Sequence, residues 1–446
     1  MKTFSVAVAL FLTSGLAGQE KEAKDSLDAP TRERISEIKG QLDGMSETLA
    51  ELKTFTDALR KIKISGYIQS QFQLATGERI NTFAGGNSAE GVRSRFVVRR
   101  GRLKVAYDNE LTQYVLQIDV TQNGVGIKDA YLWMREPWLR MFGLTAGVFN
   151  RPFGFEVGYS SGSRETPERA RIIQTLFPGE RELGAQVEFS TETGVLSHFN
   201  FKAGLFNGTG PTANDNDNYK DFIGRAGFQL PFQEENITID GGVSLYAGKV
   251  RSTSRYVYSF NSALNQYFAD SSTTNVGKYF SRNYLGADVQ LYYDSPLLGG
   301  LSLRGEYVFG EQPGTSSANT VYNPGTASIP LYQRKFSGWY LTLVQNIGLD
   351  HQFVAKYDLF DPQIDGGGHA IGAPAVGGGS SMTAADVKYA TVGIGWNYHY
   401  DANIKLVVYY DVVTNEKVNP TATGSLLGLR DDLKDNVLTV RLQYKF

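Results

Sequence analysis

Residues 435–446 read DNVLTVRLQYKF. From Val437 they alternate strictly, with Leu438, Val440, Leu442, Tyr444 and Phe446 on one face and Thr439, Arg441, Gln443 and Lys445 on the other. A period of two marks a strand, because successive side chains leave opposite faces of a sheet. In water an apolar terminal strand invites edge-to-edge aggregation. An apolar face that finishes on an aromatic ring suits lipid, with the ring at the bilayer boundary.

The same alternation runs back through most of the chain. Phe199, Phe201, Ala203 and Leu205 alternate with Asn200, Lys202 and Gly204; Leu301, Leu303 and Tyr307 alternate with Ser302, Arg304 and Glu306. Sixteen such segments lie near 62–75, 92–108, 112–122, 126–135, 139–150, 183–191, 197–208, 221–231, 236–250, 281–294, 300–311, 334–347, 350–360, 387–400, 402–414 and 435–446. Short connections such as TETGV, PFQEE and HYDA alternate with long ones at 251–280, 312–333, 361–386 and 415–434. Short periplasmic turns, long external loops and an even strand count are the pattern of a closed transmembrane barrel. The expectation is therefore an all-β fold, a 16-stranded antiparallel β-barrel over 62–446. A soluble sandwich would also alternate, with its apolar faces turned toward one another. The loop lengths and the charges opposite each apolar face favour the barrel.

Two segments precede it. MKTFSVAVALFLTSGLAG carries Lys2, an apolar run from Phe4 to Leu12 and small residues at Ala17 and Gly18, the pattern of a signal peptide over 1–18. The run is too short for a membrane anchor. From Thr31 to Ile62 the period changes. Ile35, Ile38, Leu42, Met45, Leu49, Leu52 and Leu59 follow an a/d heptad with Thr56 as its polar slot. Residues 19–61 are thus expected to be a periplasmic coiled-coil helix with a flexible lead. A lone amphipathic helix is the alternative.

Composition narrows the function. A net charge of −2 gives no basic surface for nucleic acid, and the absence of cysteine removes disulfides and thiolate metal sites. The 49 glycines, 25 tyrosines and 26 phenylalanines suit a barrel of many turns with aromatic girdles. No HExxH or DxDxDG motif occurs, so no metal or cofactor is expected. The four histidines, His198, His351, His369 and His399, have no persuasive nucleophile beside them, and an enzyme is not expected.

Four stretches, VRRGRLKVAYDNELTQYVLQIDV (98–120), GIKDAYLWM (126–134), LTAGVFNRPFGFE (144–156) and FPGERELGAQVEF (177–189), resemble in order and spacing the phosphate-selective porin O and P family. The likeness is clearest over about 62–210. It implies a sixteen-stranded outer-membrane barrel of a Gram-negative-type bacterium, usually a homotrimer, whose third long loop folds into the pore. The residues supply their own reason for that loop. Phe153, Phe155, Val157, Ile172, Ile173, Leu176 and Phe177 crowd a connection that water alone would not suit.

Anion passage needs fixed positive groups in a constriction. By alternation Arg100, Arg102 and Lys104 form an inward ladder of about 7 Å per step, joined by Lys202, Arg225, Arg304 and Lys405 on other strands. In the folded loop, Arg151, Arg164, Arg169, Arg171 and Arg181 are candidates for the narrowest point, or pins paired with Glu165, Glu168, Glu180 and Glu182. Inward acids, among them Asp119, Glu188, Asp240, Asp288, Glu306, Asp358 and Asp411, make the lumen mixed in sign. The expected function is a porin for passive uptake of small anions, with phosphate or polyphosphate implied by the resemblance. A general or sugar-specific diffusion porin is the alternative, and a structural or adhesive barrel a remote one. The expected partners are the lipid bilayer, small anions such as phosphate and two further copies of the chain.

Overall fold

The computed structural model describes residues 28–78, 89–325 and 327–446. The expected signal peptide and most of the lead behind it lie outside them. The chain divides into two compact units at Ile62.

The first contains the helix α1, Ala29–Arg60, which starts after Asp28 with Pro30 in its first turn, where a missing N–H costs nothing. None of its residues is buried, and the heptad residues Ile38, Leu42, Met45 and Leu49 are each more than 60% exposed. The stripe is exposed along its length, from Ile35 to Leu59.

The second unit is a sheet of eighteen strands. In chain order they are β1 (Ile62–Ala75), β2 (Ser94–Asn109), β3 (Thr112–Thr121), β4 (Gly124–Arg135), β5 (Phe142–Asn150), β6 (Arg181–Phe189), β7 (Phe199–Phe206), β8 (Asp221–Phe232) and β9 (Ile237–Arg251). After the short β10 (Val257–Asn261) and β11 (Gln266–Asp270) follow β12 (Tyr279–Ser295), β13 (Gly299–Gly314), β14 (Leu331–Ile347), β15 (His351–Asp361), β16 (Tyr389–His399), β17 (Ile404–Asn415) and β18 (Val437–Lys445). β10 and β11 form a hairpin within the connection from β9 to β12, leaving sixteen staves paired antiparallel in sequence order. β18 closes on β1, with Ile68 opposite Tyr444 and Phe72 opposite Val440, and Gly66 and Phe446 exchange backbone hydrogen bonds of 3.1 and 3.0 Å.

The expected strands are all present. The hairpin was not expected. Its two arms are five residues each in a polar stretch, too short for a period to show, and β10 holds its place by pairing Val257 in parallel with Leu331 of β14.

The two faces of the terminal strand separate as its alternation requires. Leu442 is 54% exposed and Tyr444 47%, whereas Thr439, Arg441 and Gln443 are 1–4% exposed inside the barrel. Leu103, Leu116, Leu132, Ile394 and Val408 repeat the outward apolar face on other strands. A closed ladder leaves no unpaired edge and an apolar exterior, the one β architecture that hydrocarbon tolerates.

The main packed core lies inside this ring. The connection 151–180 turns inward and carries the helix α2, Arg171–Leu176. Phe153, Val157, Ile172, Ile173, Leu176 and Phe177 are at most 1% exposed, and they pack on wall residues such as Phe206, Tyr284, Phe336 and Phe360. Two wall glycines make the room: a Cβ on Gly286 would stand 2.9 Å from the Phe153 ring, and one on Gly338 would stand 2.7 Å from Ile172.

The outward and inward faces should respond differently to charge. Val408→Arg is expected to cost about 2–4 kcal/mol, as for a cation near the bilayer midplane, and Gln117→Arg on the lumenal side of β3 far less. Denaturant midpoints of the barrel folded in lipid vesicles would measure both; equal losses would contradict the assignment of faces.

Candidate functional site

The inward loop is fixed to one side of the barrel by its own backbone. Gln69 donates to Ser161 O at 2.9 Å, Gln443 to Gly162 O at 2.9 Å, Lys405 to Arg164 O at 3.0 Å, Asn397 to Glu165 O at 3.1 Å and Arg441 to Pro167 O at 2.9 Å. These donors stand on β1, β16, β17 and β18. They satisfy carbonyl groups that a buried loop would otherwise leave unpaired.

Carboxylates reinforce the attachment. Glu168 accepts from Arg99 at 2.8 Å, Arg100 at 2.9 Å and Arg441 at 3.1 Å; Glu165 meets Arg304 at 2.7 Å, and Glu156 meets Lys356 at 2.9 Å. Burial pushes the Glu168 carboxyl up, but Arg100, Arg99 and Arg441 outweigh it and hold the group well below the usual carboxylate range. Glu306 works the other way round, accepting the N–H groups of Phe155 and Glu156 at 3.2 Å each from the wall of β13.

Space is left along β2–β7. A chamber of about 620 Å³ runs there from the end of the barrel that carries Ser65 and Phe446 up to Tyr159, Ser160 and Arg169 of the loop. A second chamber of about 850 Å³ lies on the long-loop side, against Arg171, Gln174 and Thr175. Between them is a hollow of about 20 Å³, room for roughly one water, which shares Arg169 with the first chamber and Arg171 and Gln174 with the second. Its wall is mixed in sign, Arg169, Arg171 and Lys356 facing Glu168, Asp358 and Asp411.

Most of the cations singled out in the sequence are committed to partners. Arg100 is held by Glu168 and by Gln69 at 3.0 Å, Arg102 by Asp119 at 3.3 Å. Arg169 binds Glu180 and the carbonyl oxygens of Glu156 and Tyr159 at 2.7 and 2.8 Å. Arg181 bridges Asp129 and Glu180 at 3.0 Å each, and Arg171 lies over the Tyr389 ring at 4.2 Å. Lys202 pairs with Glu188 at 3.7 Å, Arg225 with Asp288 at 2.6 Å and Arg304 with Glu165. Arg151 has no exposed side-chain surface. It sits against Glu182 at 2.8 Å and the Tyr322 ring at 5.0 Å, away from both chambers. Arg164 donates to Thr166 O and Pro167 O at 3.3 and 3.2 Å, stapling the loop to itself, and burial together with Arg169 and Arg100 pushes its guanidinium pKa down.

Lys104 differs. It lines the first chamber and makes no ion pair or side-chain hydrogen bond among the described residues. A second such cation escaped the sequence reading. β3 pairs Gln117 with Asp129 but Ile118 with Ile127, so Lys128 is an extra residue in β4. A bulge of this kind breaks the alternation, and Lys128 joins Asp129 on the lumenal side, in the field of Glu180, Arg102, Arg181 and Asp119. It too has no ion pair or side-chain hydrogen bond among the described residues. The adjacent charges of Lys128 and Asp129 were the available signal, since strict alternation would drive one of them into lipid. Among the described residues Lys445, which lines the first chamber beside Phe446, likewise makes no ion pair or side-chain hydrogen bond.

No family model matches the sequence, and no curated protein matches it. Solved structures do match the fold. OprB of Pseudomonas putida aligns with a TM-score of 0.55 and 9% identity, covering 88% of this chain and 96% of its own. The anion-selective porin of Comamonas acidovorans aligns at 0.51 with 11% identity, covering 86% and 99%. The outer membrane channel DcaP of Acinetobacter baumannii aligns at 0.51 with 14% identity, covering 86% and 97%. The fold is that of an outer-membrane porin.

The Glu168 clamp has a testable pH dependence. A carboxyl depressed below the ordinary glutamate value of about 4.3 contributes fully above that value. The contribution is lost only as pH falls through the depressed one. The clamp's share of the stability, read as the difference in denaturant midpoint between wild type and Glu168→Gln, is therefore expected to stay level from neutral pH down to about that point. Glu168→Gln strands three guanidinium groups and is expected to cost about 3–5 kcal/mol, with noisier open-channel current already at neutral pH. A quiet variant with unchanged stability would show that the loop is held without this carboxylate.

Proposed function

We propose that the chain is exported to the outer membrane of a Gram-negative-type bacterium and forms a water-filled pore for passive uptake of small anions. One observation carries the reading. After pairing, the acids around the first chamber, Asp119, Asp129, Glu180 and Glu188, are all matched by cations, and among the described residues Lys104 and Lys445 in its wall and Lys128 beside it are left over. Uncompensated positive charge in a narrow, poorly screened passage favours anions. The anion-selective porin of Comamonas acidovorans, which shares the fold, agrees with this reading. Phosphate or polyphosphate is proposed from the sequence resemblance alone. A general or sugar-accepting porin is the second reading, favoured by the aromatic rings of Tyr131 and Trp133 in the chamber wall.

Reversal potentials in planar bilayers under a KCl gradient decide between them. Anion preference is expected, and Lys104→Gln, Lys128→Gln and Lys445→Gln together should remove most of it while folded yield stays unchanged. Cation preference in the wild type would overturn the reading. Current blocked by phosphate would single out that anion, and current blocked by sugars but not by anions would favour the second reading.

We also propose that residues 19–61 form a periplasmic oligomerisation segment, the exposed stripe from Ile35 to Leu59 assembling a homotrimer as a coiled coil. Native mass measurement should give three chains for the intact protein. Deleting 31–60 should lower that number and leave a folded barrel, since closure satisfies the barrel's own backbone. A monomeric intact protein would contradict the assignment.

A further inference from the structure

The outward face of the barrel carries large side chains on most staves, but between β6 and β13 it is indented. Ala203 pairs with Gly224 across β7 and β8, and Ala226, Val243 and Ala287 follow one another across β8, β9 and β12. Around this floor stand the rings of Phe201, Phe222, Tyr307 and Phe309, each 39–46% exposed. The recess holds about 650 Å³, within the range of about 300–1,000 Å³ usual for small-molecule sites. It starts at the short-turn end, where Phe142 faces Phe189 across β5 and β6, and it finishes at Leu285 and Phe309, about halfway along β12 and β13.

We infer that this recess binds one acyl chain of a phospholipid from the periplasmic leaflet. The inference rests on the reading of the chain as a membrane-embedded barrel. Inside a bilayer an apolar hollow must be filled, because its lining otherwise forfeits contacts that hydrocarbon or protein would supply. A second copy of the barrel is the wrong shape for it. A stable interface takes about 800 Å² from each partner, and here the small residues form a narrow floor set behind protruding rings. A slim, flexible chain reaches that floor and a barrel wall does not.

Its vertical extent selects the leaflet. The recess opens at the short-turn end and closes at mid-height, the depth of a single leaflet.

The test compares wild type with Ala226→Leu/Ala287→Leu, which fills the floor with groups suited to lipid, after purification in mild detergent. Folding is checked by the mobility shift on boiling. Lipid extraction with native mass spectrometry is expected to find about one phospholipid per wild-type barrel and a several-fold loss in the variant. Equal retention, lipopolysaccharide as the retained lipid, or a changed oligomeric mass in the filled variant would each overturn the assignment. A second probe is independent of the filling. Tyr307→Trp, reconstituted with phospholipid brominated on its acyl chains and then diluted into lipid-free detergent, should stay quenched. Leu132→Trp, on an unindented part of the wall, should recover at once, and equal recovery would overturn the groove. A chain that does not insert into vesicles at all would instead overturn the barrel reading and the groove with it.

Discussion

Closure of β18 onto β1 is the constraint on which the rest depends. Sixteen staves bonded into a ring give every strand two neighbours, so the backbone asks nothing of its surroundings. Only then can one side of each strand be apolar outward without a protein partner. The other consequence is interior. A sixteen-strand ring encloses more space than its own side chains fill, and the chain fills part of that space with residues 151–180 rather than with larger wall residues.

That choice fixes the electrostatics. A loop brought inside carries polar backbone and charge into a poorly hydrated place, and each group must be answered there. The answer is spread around the wall: lysine, arginine and amide side chains of β1 and β16–β18 take the loop's carbonyl groups, and Arg99, Arg100 and Arg441 share Glu168. The apolar half of the loop lies against Phe206, Tyr284 and Phe336 instead. The loop is therefore held at both a polar and an apolar seam, and the open passage is displaced to β2–β7.

The strands and the inward loop were legible because both leave local signals, a period of two and a cluster of apolar residues in a connection. The inward faces of Arg100, Arg102 and Lys104 were legible for the same reason. Three things were not. The hairpin β10–β11 is too short to show a period. Lys128 faces the lumen through a bulge, which a strict alternation assigns wrongly for one of two neighbours. The partners of the arginines come from far along the chain, as with Arg100 and Glu168 or Arg304 and Glu165, and no local pattern announces a contact set by the ring. Nor could the sequence rank the ladder's three members, two of which are bound and one of which is free.

The division between bound and free follows side-chain chemistry. A guanidinium is planar, presents several donors in fixed directions and is weakly hydrated, so it suits a permanent bridge such as Arg181 between Asp129 and Glu180. An ammonium is compact, strongly hydrated and borne on a flexible stem, which suits a group that attracts a passing ion without keeping it. In this lumen the arginines mostly serve the architecture. Among the described residues Lys104, Lys128 and Lys445 make no ion pair or side-chain hydrogen bond, and Lys104 and Lys445 line the chamber. A count of lumenal cations therefore overstates the free charge, because most of it is held in the bridges that fix the loop to the wall.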